Sequence, residues 1–151
     1  MYSDDLDFMR EAYKEAKIAY ELDEVPVGAV IVRNNQIIAR GHNTRELENS
    51  PFGHAEMNAI KVASDFLGTR RLTDCTIYVT LEPCPMCAGT IMNAGIRRVV
   101  YGASDEQWGC LGSRIHLFEV GLPVRPTITR GIMANECAKI MTEFFKNKRI
   151  K

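Results

Sequence analysis

Apolar residues recur at helical spacing near the start of the chain: Leu6, Met9, Ala12, Tyr13, Ala16, Ala19 and Tyr20. Side chains three and four apart share a helix face, so this spacing predicts an amphipathic helix over about residues 5–22. Val27 to Val32 is an apolar, largely β-branched run that suits a buried strand. Asn34-Asn35 is a tight-turn signal, and Gln36 to Arg40 reads as the returning strand of a hairpin. Residues 41–53 hold Gly, Asn, Ser and Pro and read as a loop. Helical periodicity returns from His54 to Leu67 through Ala55, Ala59, Val62, Ala63 and Phe66. Thr76 to Thr80 and Arg97 to Tyr101 are strands, and Cys84 to Ala94 between them is a helix opened by Pro83 and Pro85. Residues 113–119 suggest a short helix, and Thr127 to Arg130 a last strand. Ala134, Cys137, Ala138, Met141, Phe144 and Phe145 mark one face of a closing helix. Helices alternate with strands, and the first two strands form a hairpin. The pattern therefore predicts a layered α/β domain around a mixed sheet.

Composition adds little to that picture, apart from what it excludes. The chain has 151 residues, 46% of them hydrophobic and 25% charged, as expected of one globular domain with a real core. Neither a repeat nor a linker divides it, so residues 1–151 are expected to form a single domain. No apolar run is long enough to span a bilayer. The opening Met1-Tyr2-Ser3-Asp4-Asp5 is acidic and leads into no apolar segment, so a secretory signal is not expected and the cytoplasm is the expected compartment. Nineteen basic residues balance nineteen acidic ones. Net charge thus gives no argument for nucleic acid, although local basic clusters at Arg70-Arg71, Arg97-Arg98 and Lys146 to Lys151 could still contact phosphate.

The cysteines change the picture more. There are five, Cys75, Cys84, Cys87, Cys110 and Cys137, an odd number that argues against a disulfide framework. Cys84 and Cys87, three apart at a helix start, bring both sulfurs toward one point, where the helix N-terminus favours thiolate. Alone, such a pair could be a redox couple or half of a structural zinc site. Among His42, His54 and His116, only His54 opens a helix and is followed two residues on by a carboxylate, Glu56. His54, Cys84 and Cys87 make three ligands, and three protein ligands with an open position is the catalytic arrangement of zinc. The combined pattern, His54-Ala55-Glu56 followed by Pro83-Cys84-Pro85-Met86-Cys87, matches the signature of zinc nucleobase deaminases. The residue types suit that chemistry. Zinc brings the pKa of a water toward neutrality and yields a bound hydroxide, while one carboxylate, here Glu56, serves in turn as base and acid for the protons that must move.

From residue 25 onward the chain resembles bacterial tRNA-specific adenosine deaminases, within the cytidine deaminase-like zinc deaminases. The resemblance rests on Val25-Pro26-Val27-Gly28-Ala29-Val30, Gly41-His42-Asn43, His54-Ala55-Glu56 and the stretch from Tyr78 to Gly89. It continues through Arg97 to Ala103 and Gly131 to Ala138. It implies a three-layer α/β/α fold with a five-stranded mixed sheet, one zinc ion per subunit, a homodimer, and deamination of the wobble adenosine of a tRNA anticodon stem-loop to inosine. It also implies substrate-contacting residues. Asn43 matches the asparagine that reads the base edge, and Val27 a pocket wall. Ala55 stands within the zinc motif, Asp105 matches a loop acid that touches a neighbouring nucleotide, and Phe145 and Arg149 lie where the closing helix approaches RNA.

The substrate stays open at this point. Glu46 and Glu48 make one loop acidic, which repels phosphate, and Trp108 could either stack on a splayed base or close the pocket over a small one. The alternatives are a deaminase of a free nucleobase or nucleoside of guanine or cytosine type, and a non-catalytic module with a structural zinc.

Overall fold

The structure, a computed structural model, describes residues 4–150, with side chains described to Lys148. Helix α1 spans Asp5–Glu21. Asp4 caps it by accepting from the Asp7 N–H at 2.8 Å, satisfying one of the amides that a helix start leaves without a partner. Its buried stripe runs through Phe8, Met9, Ala12, Ala16 and Ala19. Leu6, expected on that face, is 41% exposed instead, because Phe8 and Met9 already fill the space over the sheet.

Strands β1 (Gly28–Arg33) and β2 (Gln36–His42) form the expected hairpin. Asn34 and Asn35 both take positive φ, 52° and 59°, the geometry of a tight turn whose twist matches the strands it joins. β2 runs two residues beyond the predicted Arg40, and Ile38 bulges where the register slips between Ile31 and Val32. Helix α2 is Ala55–Leu67, with His54 as its N-cap rather than its first residue. The sheet faces Ala55, Ala59, Ile60 and Ala63, so Val62 and Phe66 fall on the flank and stay exposed, contrary to the sequence pattern.

The remaining strands are β3 (Cys75–Leu81), β4 (Arg98–Ala103) and β5 (Thr127–Arg130). Helix α3 (Pro85–Ala94) joins β3 to β4 and α4 (Ala134–Ile150) closes the chain. Residues 113–119 contribute only a single 3-10 turn, Leu117–Glu119, because the bridge between Leu111 and His116 holds the preceding backbone extended.

The sheet order is β2-β1-β3-β4-β5. β1 is antiparallel to β2 and β3, whereas β3, β4 and β5 are mutually parallel. Alternation along the strands divides the core. Ala29, Ile31, Ile77, Val79 and Val99 pack with α2 and α3, and Val30, Val32, Tyr78 and Val100 pack with α1. Helix α4 lies on the α1 side: Phe144 meets Tyr20 edge-on at 5.8 Å, and a Cβ at Gly102 would stand 2.7 Å from Cys137 Sγ. The result is the expected α/β/α sandwich.

This topology places the chemistry. With β1 reversed, the C-terminal ends of β2, β3 and β4 emerge at one edge of the sheet. Asn43 follows β2, Pro83-Cys84 follows β3, and the 104–116 loop follows β4. The carboxyl ends of parallel strands are where open α/β sheets bind ligands.

Candidate active site

His54 and Cys84 occupy equivalent positions, the N-caps of α2 and α3, and both have extended backbones, at φ −88° and −80°. An N-cap side chain ordinarily turns back to cap its own helix. Neither does so here, which leaves both side chains available to a ligand. The capping of α2 is taken over by Asn43, whose Oδ1 accepts from the Ala55 N–H at 2.9 Å. Asn58 adds a second tie by donating Nδ2 to the His42 carbonyl at 2.8 Å and to Thr44 Oγ1 at 2.9 Å.

His54 Nδ1 lies 3.7 Å from Cys84 Sγ and 3.5 Å from Cys87 Sγ. Bond lengths of a tetrahedral zinc with one nitrogen and two sulfur ligands require an N···S separation of about 3.5 Å. Their ligand atoms all lie within 4.8 Å of one another, and these residues form the one such group among the described residues. The donor set therefore fits a metal ion and leaves a coordination position for something other than protein.

The two thiols hold their protons unequally. The hydrogen bond from Cys87 holds Cys84 as a thiolate, its pKa pulled down to about 4. Cys87 is pushed far upward by the same contact and by burial. His54 is raised chiefly by its hydrogen bond with Cys84. Glu56, on the first turn of α2, is 4% exposed. Burial pushes its carboxyl up to about 7, where a group can both give and take a proton near neutrality. A bound cation beside it acts in the opposite sense.

The other residues expected at the site lie on several different elements. Val27 is buried just before β1, and its carbonyl accepts from Asn43 N at 3.2 Å. Ala55 is fully buried, its N–H committed to Asn43. Asp105 Oδ1 accepts from Gln107 N at 3.0 Å and Trp108 N at 3.1 Å, forming a turn that leaves Trp108 66% exposed. Phe145 is partly exposed on α4, stacked edge-on against Phe144. The side chain of Arg149 lies outside the described residues. Cys110 is fully buried against the ligand turn, its thiol 3.3 Å from the Pro83 carbonyl, and burial raises it to about 12, with the charges of Cys84, Glu82 and Glu56 adding to the effect. Of the basic clusters, Arg98 is engaged by Asp5 at 2.6 Å and Lys148 by Asp23 at 2.6 Å.

Two carboxylates are not evident from sequence pattern. Glu24 and Glu82 are each 2% exposed. Glu24 accepts from Glu46 N at 3.2 Å and Leu47 N at 2.7 Å. Glu82 accepts from Asp105 N at 3.1 Å, Leu111 N at 2.9 Å and Ser113 N at 3.1 Å, and from the Ser113 hydroxyl. The one sequence signal is the place of Glu82 in the run Thr80-Leu81-Glu82-Pro83-Cys84.

Comparison with known proteins agrees with this geometry. The MafB19-like deaminase profile matches residues 3–149. A tRNA-specific adenosine deaminase of Bacillus subtilis (strain 168) is 46% identical over 152 residues, covering 100% of this chain and 94% of the relative. Among solved structures, one from studies of A-to-I editing by tRNA:A34 deaminases superposes with a TM-score of 0.84 at 42% identity, covering 88% of this chain and 97% of that one. A guanine deaminase of Bacillus subtilis superposes less well, with a TM-score of 0.65 at 31% identity over 80% of this chain and 88% of that one. A profile match over nearly the whole chain and high identity to a relative of matching length agree with the His/Cys/Cys group, and the chain belongs to the tRNA-specific adenosine deaminase family.

Proposed function

We propose that this chain is a zinc-dependent hydrolytic deaminase that converts adenosine to inosine, with release of ammonia, at the wobble position of a tRNA anticodon. The observation that carries the chemistry is a buried glutamate, Glu56, two residues from the histidine of a three-ligand metal group. The similarity to tRNA:A34 deaminases carries the choice of substrate.

His54, Cys84 and Cys87 would hold the zinc. When bound, zinc supplies the Lewis acidity that lets water act as a nucleophile at neutral pH. Glu56 carries the protons. Its carboxylate takes a proton from the attacking water and passes it to the ring nitrogen beside C6. It then takes the second proton of that water, from the hydroxyl now on C6, and delivers it to the amine, which departs as ammonia and leaves a carbonyl at C6. Burial of Glu56 keeps those protons from leaking to solvent.

Asn43 serves the base twice in this reading. Its Oδ1 fixes the start of α2, and its amide donors, which make no hydrogen bond among the described residues, are left for an acceptor on the base edge. Val27 and Ala55 wall the pocket, Asp105 faces a neighbouring nucleotide, and Phe145 and Arg149 meet the RNA from α4. A homodimer and a cytoplasmic setting belong to the same reading. Exposed Val62 and Phe66, one turn apart on α2, supply apolar surface for the dimer. No helix among the described residues is long and apolar enough to cross a membrane.

Inosine formation on an anticodon stem-loop, measured beside ammonia release from free guanine, cytosine and adenosine, tests this reading. Inosine at the wobble position is expected. Turnover of free bases without any stem-loop product would overturn the substrate assignment and leave the chemistry standing.

A further inference from the structure

The deamination chemistry makes no use of Glu82, although it is among the most buried charged residues in the described chain. It has no ion-pair partner among the described residues. Instead its carboxylate is enclosed by the backbone of one loop. The Asp105 amide and the Ser113 hydroxyl meet Oε1, and the Leu111 and Ser113 amides meet Oε2. Converging N–H groups of this kind form an anion-binding concavity, and here the anion is built into the chain. The loop closes so tightly that a Cβ at Gly109 would overlap the carboxyl of Glu82, so residue 109 has to lack a side chain.

The position of Glu82 in the chain gives this arrangement a direction. Glu82 is the first residue after β3, one before Pro83 and two before Cys84 of the proposed metal group. The loop it holds also grips that segment directly, since Cys110 N and Cys110 Sγ approach the Pro83 carbonyl at 3.1 and 3.3 Å. Its outer arm carries Asp105 and the exposed Trp108. One carboxylate thus ties the loop after β4 to the turn that carries Cys84.

We infer that Glu82 is a positioning residue for the deamination, setting the 104–113 loop at a fixed place relative to the metal-ligand turn so that the loop can hold the nucleotide beside the target. This rests on the reading of the site as a tRNA deaminase. Carboxylate geometry suits that role. Two oxygens present several acceptor positions in one plane, and a glutamine can match only one of them while pushing a donor against the amides on the other side.

The experiment uses the metal-loaded protein with Glu82→Gln and Ser113→Ala, the second removing the hydroxyl while leaving the carboxylate in place. Metal content and the circular dichroism spectrum are measured first, and both are expected to match the parent. On an anticodon stem-loop, Glu82→Gln is expected to raise KM at least tenfold with kcat within threefold, and Ser113→Ala to raise KM by a smaller factor. A role confined to stability would act differently, lowering the active fraction and hence the apparent kcat at unchanged KM. An unchanged KM in Glu82→Gln overturns the inference. Hydrogen exchange provides a reading that needs no substrate. The amides of Asp105, Leu111 and Ser113 should exchange at least tenfold faster in Glu82→Gln, and unchanged protection there also overturns it. Should the parent make no inosine on the stem-loop, the substrate assignment fails on that result, and the exchange measurement still decides the role of Glu82.

Discussion

In the proposed mechanism single residues carry the chemistry, and their effects should separate cleanly. Glu56 contacts no metal in the proposed arrangement, so Glu56→Ala should retain the metal and the fold. Proton transfer by a positioned carboxylate contributes on the order of 10²–10⁴ in rate, and kcat should fall by at least that much. Metal analysis beside single-turnover kinetics checks this, and full activity in the variant would rule the mechanism out. Cys87→Ala should behave in the opposite way. It removes a fully buried thiol of the proposed metal group, so the metal should be lost. Because metal binding free energy is coupled to folding, the melting temperature should fall with it. Titrating zinc into the variant and finding one tightly held ion per chain would contradict that.

At the scale of elements, the site depends on how two helices begin. Asn43 reaches across from the end of β2 to the first amide of α2, freeing His54 from capping. Asn43→Ala should therefore cost about 1 kcal/mol of stability, the usual value of a lost cap, and it should also weaken metal retention because His54 sits at that helix start. Urea unfolding with and without chelator separates the two effects. Much of this level could be read from the sequence. Hairpin, helices and strands follow from local periodicity and turn residues, as the positive φ of Asn34 and Asn35 shows. What local pattern missed were faces and ends. Val62 and Phe66 keep helical spacing with Ala55 yet remain exposed, since periodicity fixes a stripe but not which edge of it the sheet covers.

The whole molecule is tied together by contacts between distant segments, and these set its response to conditions. Asp5, at the start of α1, binds Arg98 on β4 through paired contacts of 2.8 and 2.6 Å and accepts the Tyr78 hydroxyl of β3 at 2.7 Å. The Arg98 hydrogen bond holds the Asp5 carboxyl below its ordinary value, against the opposing effect of burial. A carboxyl whose folded pKa is depressed binds more protons when unfolded. Its contribution is therefore complete above the usual aspartate range and is lost as pH falls through that range toward the lower folded pKa. Asp5→Asn should flatten the loss of stability between about pH 5 and pH 2, and denaturant titrations across that window test it. Removing the metal from the parent should lower the melting temperature, and restoring zinc should recover it in a concentration-dependent way, since a ligand bound only by the folded state stabilises it by mass action.

The sequence by itself determined the reaction class. His54, Glu56, Cys84 and Cys87 stand out as candidates by short fixed spacings, because two cysteines three apart at a helix start, or a histidine two before a carboxylate, are local facts of the chain. It also carried the family, through words spread along most of its length. Tertiary structure alone decided that Asn43 caps α2, that Trp108 stands exposed above an Asp105 turn, and that Glu24 and Glu82 hold loops near the candidate metal group. The physical reason is distance along the chain. Glu82 meets Leu111 across 29 positions and Glu24 meets Leu47 across 23. Most of the bonds these carboxylates make are to backbone amides, which any non-proline residue supplies, so they leave few partners for the sequence to reveal.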